Sequence, residues 1–459
     1  MKNATSERSS AQPAAPKIRR HRIREILIGF GILVVLVMIT PAILSLFFKD
    51  IPPVSAPDLA LNKVTVPVAD NAYFDLLKLD QATVDVSGVT DQLGFINGVL
   101  AGVQWDQAVV DDALAKNAEA LGYFADAAKK SSYQFPAYAD PVNIDPINFL
   151  SLGSVHTIGR LAALKAVNLQ KQGKEAEAFQ QALTMTHVGT VIEHSRTPLV
   201  GFLVGRRIEA LGSQTLQRLL TDTKLTSAVL VPYAAQIQNS GTMSEDFSNA
   251  FKMEHMFRIG YIEEAVQRNH PDIKNVVEEY QQAIPWRLWT PRSYYFQPNK
   301  IISEWNDIDR SILAASTTPC AQQAPEIQPP APYSTNMFRF WLRLYFLPNA
   351  IGQLLHEVGF VSLGSARTVL CNDEALNSAT RTLIALKAFS QDNGALPITL
   401  EQLVPTYLPS LPIDPYDGKA IKYSAEKKII YSVGSDHVDI GGSTGDDWQK
   451  MDDPTFAVK

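Results

Sequence analysis

Residues Ile26–Phe48, ILIGFGILVVLVMITPAILSLFF, contain no charged side chain. Such a run is long enough to cross a bilayer as a helix, which takes about 20 apolar residues. Gly29, Gly31, Thr40, Pro41 and Ser45 are tolerated inside a membrane helix. Lys17, Arg19, Arg20, Arg22 and Arg24 precede the run; Lys49 and Asp50 follow it. Positive charge on a short flank stays in the cytoplasm, which places the N-terminus inside and about 410 residues outside.

Two other readings of this stretch compete with a membrane helix. A cleaved signal peptide has an apolar core of about 7–15 residues, shorter than this one. A small-residue cleavage site at Val54-Ser55-Ala56 keeps that alternative open, with the uncleaved anchor preferred. A pilin-type leader needs charge right up to its glycine and a glutamate five residues after the cut. Here Ile26-Leu27-Ile28 precede Gly29 and Val34 holds the glutamate position, so that reading is rejected.

The chain of 459 residues is long enough for two or more cores. Its net charge is -6, of which the tail before the membrane contributes +5, leaving -11 for the rest. An acidic ectodomain argues against nucleic acid and anionic lipid as main partners and is compatible with binding cations. The two cysteines, Cys320 and Cys371, both lie outside the membrane in this topology, where disulfides persist. They form either one disulfide or two free thiols, and the disulfide is preferred because Cys320 sits in a loop free to reach a partner. Two thiols make no structural zinc cluster.

The expected organisation is a cytoplasmic tail (1–24), a transmembrane helix (25–48), a Pro-rich linker (49–69), a helical extracytoplasmic domain (70–371) with a Pro-rich loop at 319–332, and a distinct C-terminal module (372–459). Asp70 is expected to cap a helix through Tyr73, Leu76 and Leu77. In 150–172, Val155, Ile158, Leu161 and Ala162 recur at three- and four-residue spacing. Gly173 ends that helix, and 174–194 resumes with Phe179, Ala182, Leu183, Met185, Val188 and Ile192, an antiparallel pair. Pro198 opens a further helix whose Gly201 and Gly205 permit close approach of a neighbour; Arg206 and Arg207 stop it from being a second span. An internal echo links Tyr295-Phe296-Gln297-Pro298-Asn299 with Tyr345-Phe346-Leu347-Pro348-Asn349. Both copies are expected to open helices and pack in a core, with an aromatic surface lying on the bilayer as the alternative.

From Asn372 the pattern changes. Leu376, Ala379, Leu383, Leu386 and Phe389 mark one helix face, Thr399 and Gln402 form a capping box, and residues 420–423 and 428–433 read as a β-hairpin. The quoted stretches LKAF (386–389), DNG (392–394), LPITLEQL (396–403), YLPSLPIDP (407–415) and YSVGSD (431–436) resemble the C-terminal half of the major pseudopilin, the G subunit, of type II secretion. The resemblance covers roughly the last fifth of the chain and implies a small α+β module. Several hundred residues separate it from the membrane run and the leader signature is missing, so it does not imply polymerisation. The helical region resembles ectodomains of uncharacterised bacterial membrane-anchored proteins that carry such a tail.

The final loop, residues 433–448, offers Asp436, Asp439, Asp446 and Asp447 among glycines. Calcium takes six to eight oxygens from carboxylates and carbonyls. The resemblance implies calcium as cofactor, bound by Asp436, the carbonyls of Val433 and Val438, Ser443, and Asp446 with Asp447. The loop is longer here, which lets Asp439 substitute for Ser443. A solvated acidic tail is the competing reading.

No nucleophile elbow, phosphate loop or zinc-protease motif is found. The remaining scraps are His187 with His194, Glu254-His255, Glu263-Glu264 and His356-Glu357. The expected fold is therefore mainly α, and the expected function is a single-pass structural or interaction protein of a bacterial envelope with protein partners there. The competing class is a periplasmic hydrolase with its site in the helical domain.

Overall fold

The structure, a computed structural model, describes residues 17–61, 64–84, 86, 95, 98–99, 101–134, 152–195, 197–237, 243–267, 291–322, 337–359, 363–444 and 451–458. It is mostly helical. Its helices, in chain order, are α1 (Lys17–Leu44), α2 (Tyr73–Ala82), α3 (Gln107–Lys116), α4 (Ala118–Ala127), α5 (Leu152–Lys171), α6 (Glu175–Glu193), α7 (Leu199–Leu220), α8 (Ser227–Gln236) and α9 (Met243–Gln267), followed by α10 (Arg292–Tyr295), α11 (Pro298–Ser316), α12 (Met337–Phe346), α13 (Ala350–Gly359) and α14 (Leu363–Asn393). Strands β1 (Lys422–Ser424), β2 (Ile429–Tyr431) and β3 (Thr455–Ala457) form one antiparallel sheet in that order, Tyr423 facing Ile430 and Ile430 facing Phe456.

The chain divides into two compact units built from non-consecutive stretches, whereas the sequence reading divides it consecutively. One unit takes residues 1–54, 265–303 and 330–359; the other takes 55–264, 304–329 and 360–459.

In the first unit, α1 contains a 22-residue stretch, Ile23–Leu44, long and apolar enough to cross a membrane, and almost none of it is covered by protein. Just past its end, the Asp50 carboxylate accepts from the backbone N–H of Asn299 (3.1 Å) and Lys300 (3.0 Å). Asp50 thus caps α11, satisfying donors that an N-terminus leaves orphaned. Gln297 Nε2 donates to the Phe48 carbonyl at 3.0 Å. The two echoed motifs meet each other: Asn349 N donates to the Tyr294 carbonyl (2.7 Å), and Asn349 Oδ1 accepts from Gln297 N (2.8 Å). Asn349 stands at φ +57, a conformation asparagine tolerates better than most residues. The two asparagines thus serve differently: one lies in a helix capped by Asp50, the other ties its copy of the motif to the first. Tyr294, Tyr295 and Phe296 are buried, whereas Tyr345 and Phe346 are only half-buried.

In the second unit, the apolar faces read from spacing are the buried ones. Val155, Ile158, Leu161 and Ala162 of α5 pack with α2–α4 and with Ile192 and Ile208. A second core joins Phe179, Ala182, Leu216, Leu219 and Leu230 to Leu376, Ala379, Leu383 and Leu386 of α14, and to Leu403, Ile421, Ile430 and Phe456. The last stretch of chain therefore shares a core with α5–α8. Gly173 has φ +77 and ends α5. Asp70 does not cap α2: it closes a 3-10 turn, and Asn71 Oδ1 instead accepts from Tyr73 N (3.0 Å) and Gln134 N (2.8 Å). β3 is absent from the sequence reading, which stops at the hairpin. Cys320 and Cys371 are bonded, their Cα atoms 5.9 Å apart.

α6 and α7 approach backbone to backbone. A Cβ on Gly205 would lie 2.9 Å from the Gly189 carbonyl oxygen, and one on Gly189 2.7 Å from that of Gly205. Gly201, also expected to face a neighbouring helix, lies against the Thr197 side chain instead. Gly205→Ala is expected to lower stability by about 1–3 kcal/mol, because rigid backbone must move. Gly122→Ala, on an open helical surface with nothing within 4 Å, is expected to raise it by about 0.5–1 kcal/mol. Unfolding of both variants in detergent, followed by far-ultraviolet circular dichroism, checks the pair.

Candidate functional site

The close pass of α6 on α7 sets the geometry of a buried charge cluster. Arg206, 1% exposed, donates from Nη1 to Glu193 (2.9 Å) and Glu209 (2.8 Å) and from Nε to Asp373 of α14 (3.3 Å). Asn377 Nδ2 donates to the other oxygen of Glu209 at 2.9 Å, and Ser213 Oγ donates to Asn377 Oδ1 at 2.9 Å. One cation thus faces three carboxylates in a dry interior. Burial alone would lower the Arg206 guanidinium, but Glu193, Glu209 and Asp373 outweigh it and hold it firmly protonated. Burial raises Glu193 well above the usual carboxylate range, helped by Glu209 and opposed by Arg206. Burial also pushes Asp373 up to about 6 against the pull of Arg206. Glu374 next to it is raised by burial as well.

A second cluster centres on Asp309. Its Oδ2 pairs with His255 Nδ1 at 2.6 Å, and Arg258 Nη2 lies 2.9 Å from both carboxylate oxygens. The Arg258 guanidinium also lies over the Phe251 and Trp305 rings. Asp309 thus ties His255 and Arg258 of α9 to α11. Of the other residues singled out, His187 is exposed and His194 pairs with Asp246 at 2.5 Å, which raises the imidazole. Glu254 is raised by burial and Glu263 is exposed. Nine residues apart on α9, Glu254 and Glu263 fall on opposite sides of the helix, about 180° apart. The side chains of Glu264, His356 and Glu357 lie outside the described residues.

Comparison with protein-family models, curated proteins and solved structures returns no match.

In the final loop Val433 is buried, Asp436, Val438 and Asp439 are exposed, and Ser443 is half-buried; Asp446 and Asp447 lie outside the described residues. Asp436 Oδ1 accepts from Val438 N and Asp439 Oδ1 from Gly441 N, each at 3.0 Å, so both acids close local turns. Among the described residues no three histidine, cysteine or acidic side chains converge to hold a metal. The residue on which the loop is folded is Asp453, which sequence reasoning missed. Its carboxylate is buried and accepts from Ile440 N (3.0 Å) and Gly442 N (2.8 Å), while its other oxygen has no hydrogen-bond partner. Asp414, also buried, accepts from Tyr416 N, Ser432 Oγ and Val433 N and fixes the entry to the loop.

The Arg206 cluster carried a signal in the sequence. Phe202, Arg206, Glu209, Ser213 and Leu216 repeat every three to four residues, so the charges continue an apolar face that is buried.

An acid raised in the folded state adds stability below its unfolded pKa, and that contribution is lost as pH rises through the folded value. For Asp373 the window runs from 3.8 to about 6. Stability is expected to fall across it by a few kcal/mol, taking about 1.4 kcal/mol per pKa unit. Asp373→Asn keeps the shape and removes the titration, so its stability should fall less steeply, the remainder coming from Glu193 and Glu374. Urea unfolding at a series of pH values measures the difference; equal slopes would exclude Asp373 as a contributor.

Proposed function

We propose that the chain is a single-pass, N-in membrane protein whose bulk is a structural or interaction element on the outer face of a bacterial inner membrane. The observation that carries this reading is the treatment of α1. Its apolar sides are left bare, yet its end is built into the fold through Asp50, Phe48 and Ile51, the last accepting from Asn299 Nδ2 at 2.9 Å. Removal of a signal peptide at Val54-Ser55-Ala56 would take away residues that cap α11, which favours a retained anchor. The Cys320–Cys371 bond supports an oxidising compartment for the remainder.

The resemblance of the last stretch to the pseudopilin G subunit supports a link to a type II secretion or pilus-like system through envelope protein partners. It also supports calcium on the final loop, held by Asp436, the Val433 and Val438 carbonyls, Asp446 and Asp447, with Ser443 or Asp439 completing the set. The partnerless oxygen of buried Asp453 fits a loop that gains from nearby positive charge.

Two measurements test the reading. A reporter that works only outside the cytoplasm, fused after Lys459, should be active, with the full-length chain retained in carbonate-washed membranes. Calcium, and not equal magnesium, should raise the melting temperature of the detergent-solubilised chain; a ligand at 100 times its Kd adds about 2.7 kcal/mol. Asp436→Ala should remove that rise and leave metal-free melting nearly unchanged, and calorimetry showing no calcium uptake would exclude the ion.

A further inference from the structure

The second copy of the echoed motif lies on α1 itself. The Tyr345 hydroxyl donates toward the carbonyls of Met38 (3.2 Å) and Val37 (3.4 Å). Both carbonyls belong to the apolar span rather than to its exit. Met38 is six residues before Leu44, which places the contact about 9 Å inside the end of the helix, at 1.5 Å per residue. Whatever bilayer surrounds α1 must therefore surround α12 at that depth. A hydroxyl at an aqueous surface is satisfied by water. One in hydrocarbon must share acceptors already used by the helix, as Tyr345 does.

The other described side chains of α12 fit this position. At about 100° per residue, Leu342 lies about 60° round the helix from Tyr345, with Arg339 and Arg343 about 60–100° beyond it. Leu344, on the far side, is buried in the unit, whereas Leu342 is 40% exposed and both arginines are exposed. Passing round the helix from α1 outward, the surface is thus first apolar and then cationic. That is the pattern of a helix lying in the interface plane, whose arginines extend to lipid phosphates while their stems stay in the apolar layer. Leu46 (69% exposed), Phe47 (77%) and Leu347 (37%) add apolar surface in the same unit.

We infer that α12 is a second membrane contact, lying in the outer leaflet against α1, with Leu342 among the acyl chains and Arg339 and Arg343 at the phosphates. The inference rests on the reading of α1 as a span and adds a monotopic helix to it.

Because both native cysteines are bonded to each other, a single added cysteine can be labelled without reductant. Full-length Leu36→Cys, Leu342→Cys and Leu347→Cys carry a bimane label and are reconstituted in phosphatidylcholine vesicles containing lipid brominated on acyl carbons 6 and 7 or 11 and 12. Leu36 reports the span. The label at 342 should be quenched about twofold by the shallow bromines and shielded from iodide, as for a helix buried about 5–10 Å into the interface. The label at 347 gives a second reading if Leu342→Cys misfolds. Bromine quenching at 36, with iodide quenching and no bromine quenching at both 342 and 347, overturns the inference and leaves the anchor standing. Quenching at 342 and 347 by neither agent means that protein covers this face, which also overturns it. No bromine quenching at 36 removes the anchor itself, and the inference with it.

Discussion

A guanidinium sealed between three helices has no way to regain water, so Arg206 depends on the acids around it: Nη1 and Nε are paired with them, and buried Nη2 finds no hydrogen-bond partner. Two of its carboxylates come from the helix pair α6–α7 and the third from α14, well over a hundred residues later. Breaking such a set by removing one partner leaves uncompensated charge in a dry interior, which costs far more than an ordinary contact. The cluster therefore works as a register lock. Apolar faces tolerate sliding by a fraction of a turn; a forked cation with its acids does not. The surplus of acid over base means that the lock closes most firmly when a proton is shared among them.

Much of the helical layout was legible because it depends on local periodicity. The α5–α6 hairpin, its glycine stop and the buried stripe of α14 follow from spacing alone. What escaped is what depends on partners distant in sequence. The spacing places Arg206 and Glu209 on one buried stripe of α7, but nothing nearby announces Asp373. β3 follows a glycine- and aspartate-rich stretch and is three residues long, too short for alternation to register. Asp453 looks like one more acid in an acidic tail, and only its burial against Ile440 and Gly442 distinguishes it. The compact units escaped for the same reason, since the chain leaves and re-enters each of them.

The echoed motif shows the difference between seeing a pattern and knowing its use. Repetition implied two equivalent helix entries. The structure uses them unequally: one copy buries Tyr294, Tyr295 and Phe296, and the other bonds back to the first and to α1. A repeated sequence here makes a two-part clasp, each half needing the other through Asn349 and Tyr294.

The bond between Cys320 and Cys371 turns the stretch between them into a closed ring. That ring holds α12, α13 and the whole of the chain's second excursion into the unit that carries α1. A protease cutting once anywhere inside it would release no fragment. The N-terminal piece and the C-terminal piece would stay covalently joined, separable only under reduction. Such a molecule can be nicked and still remain tethered.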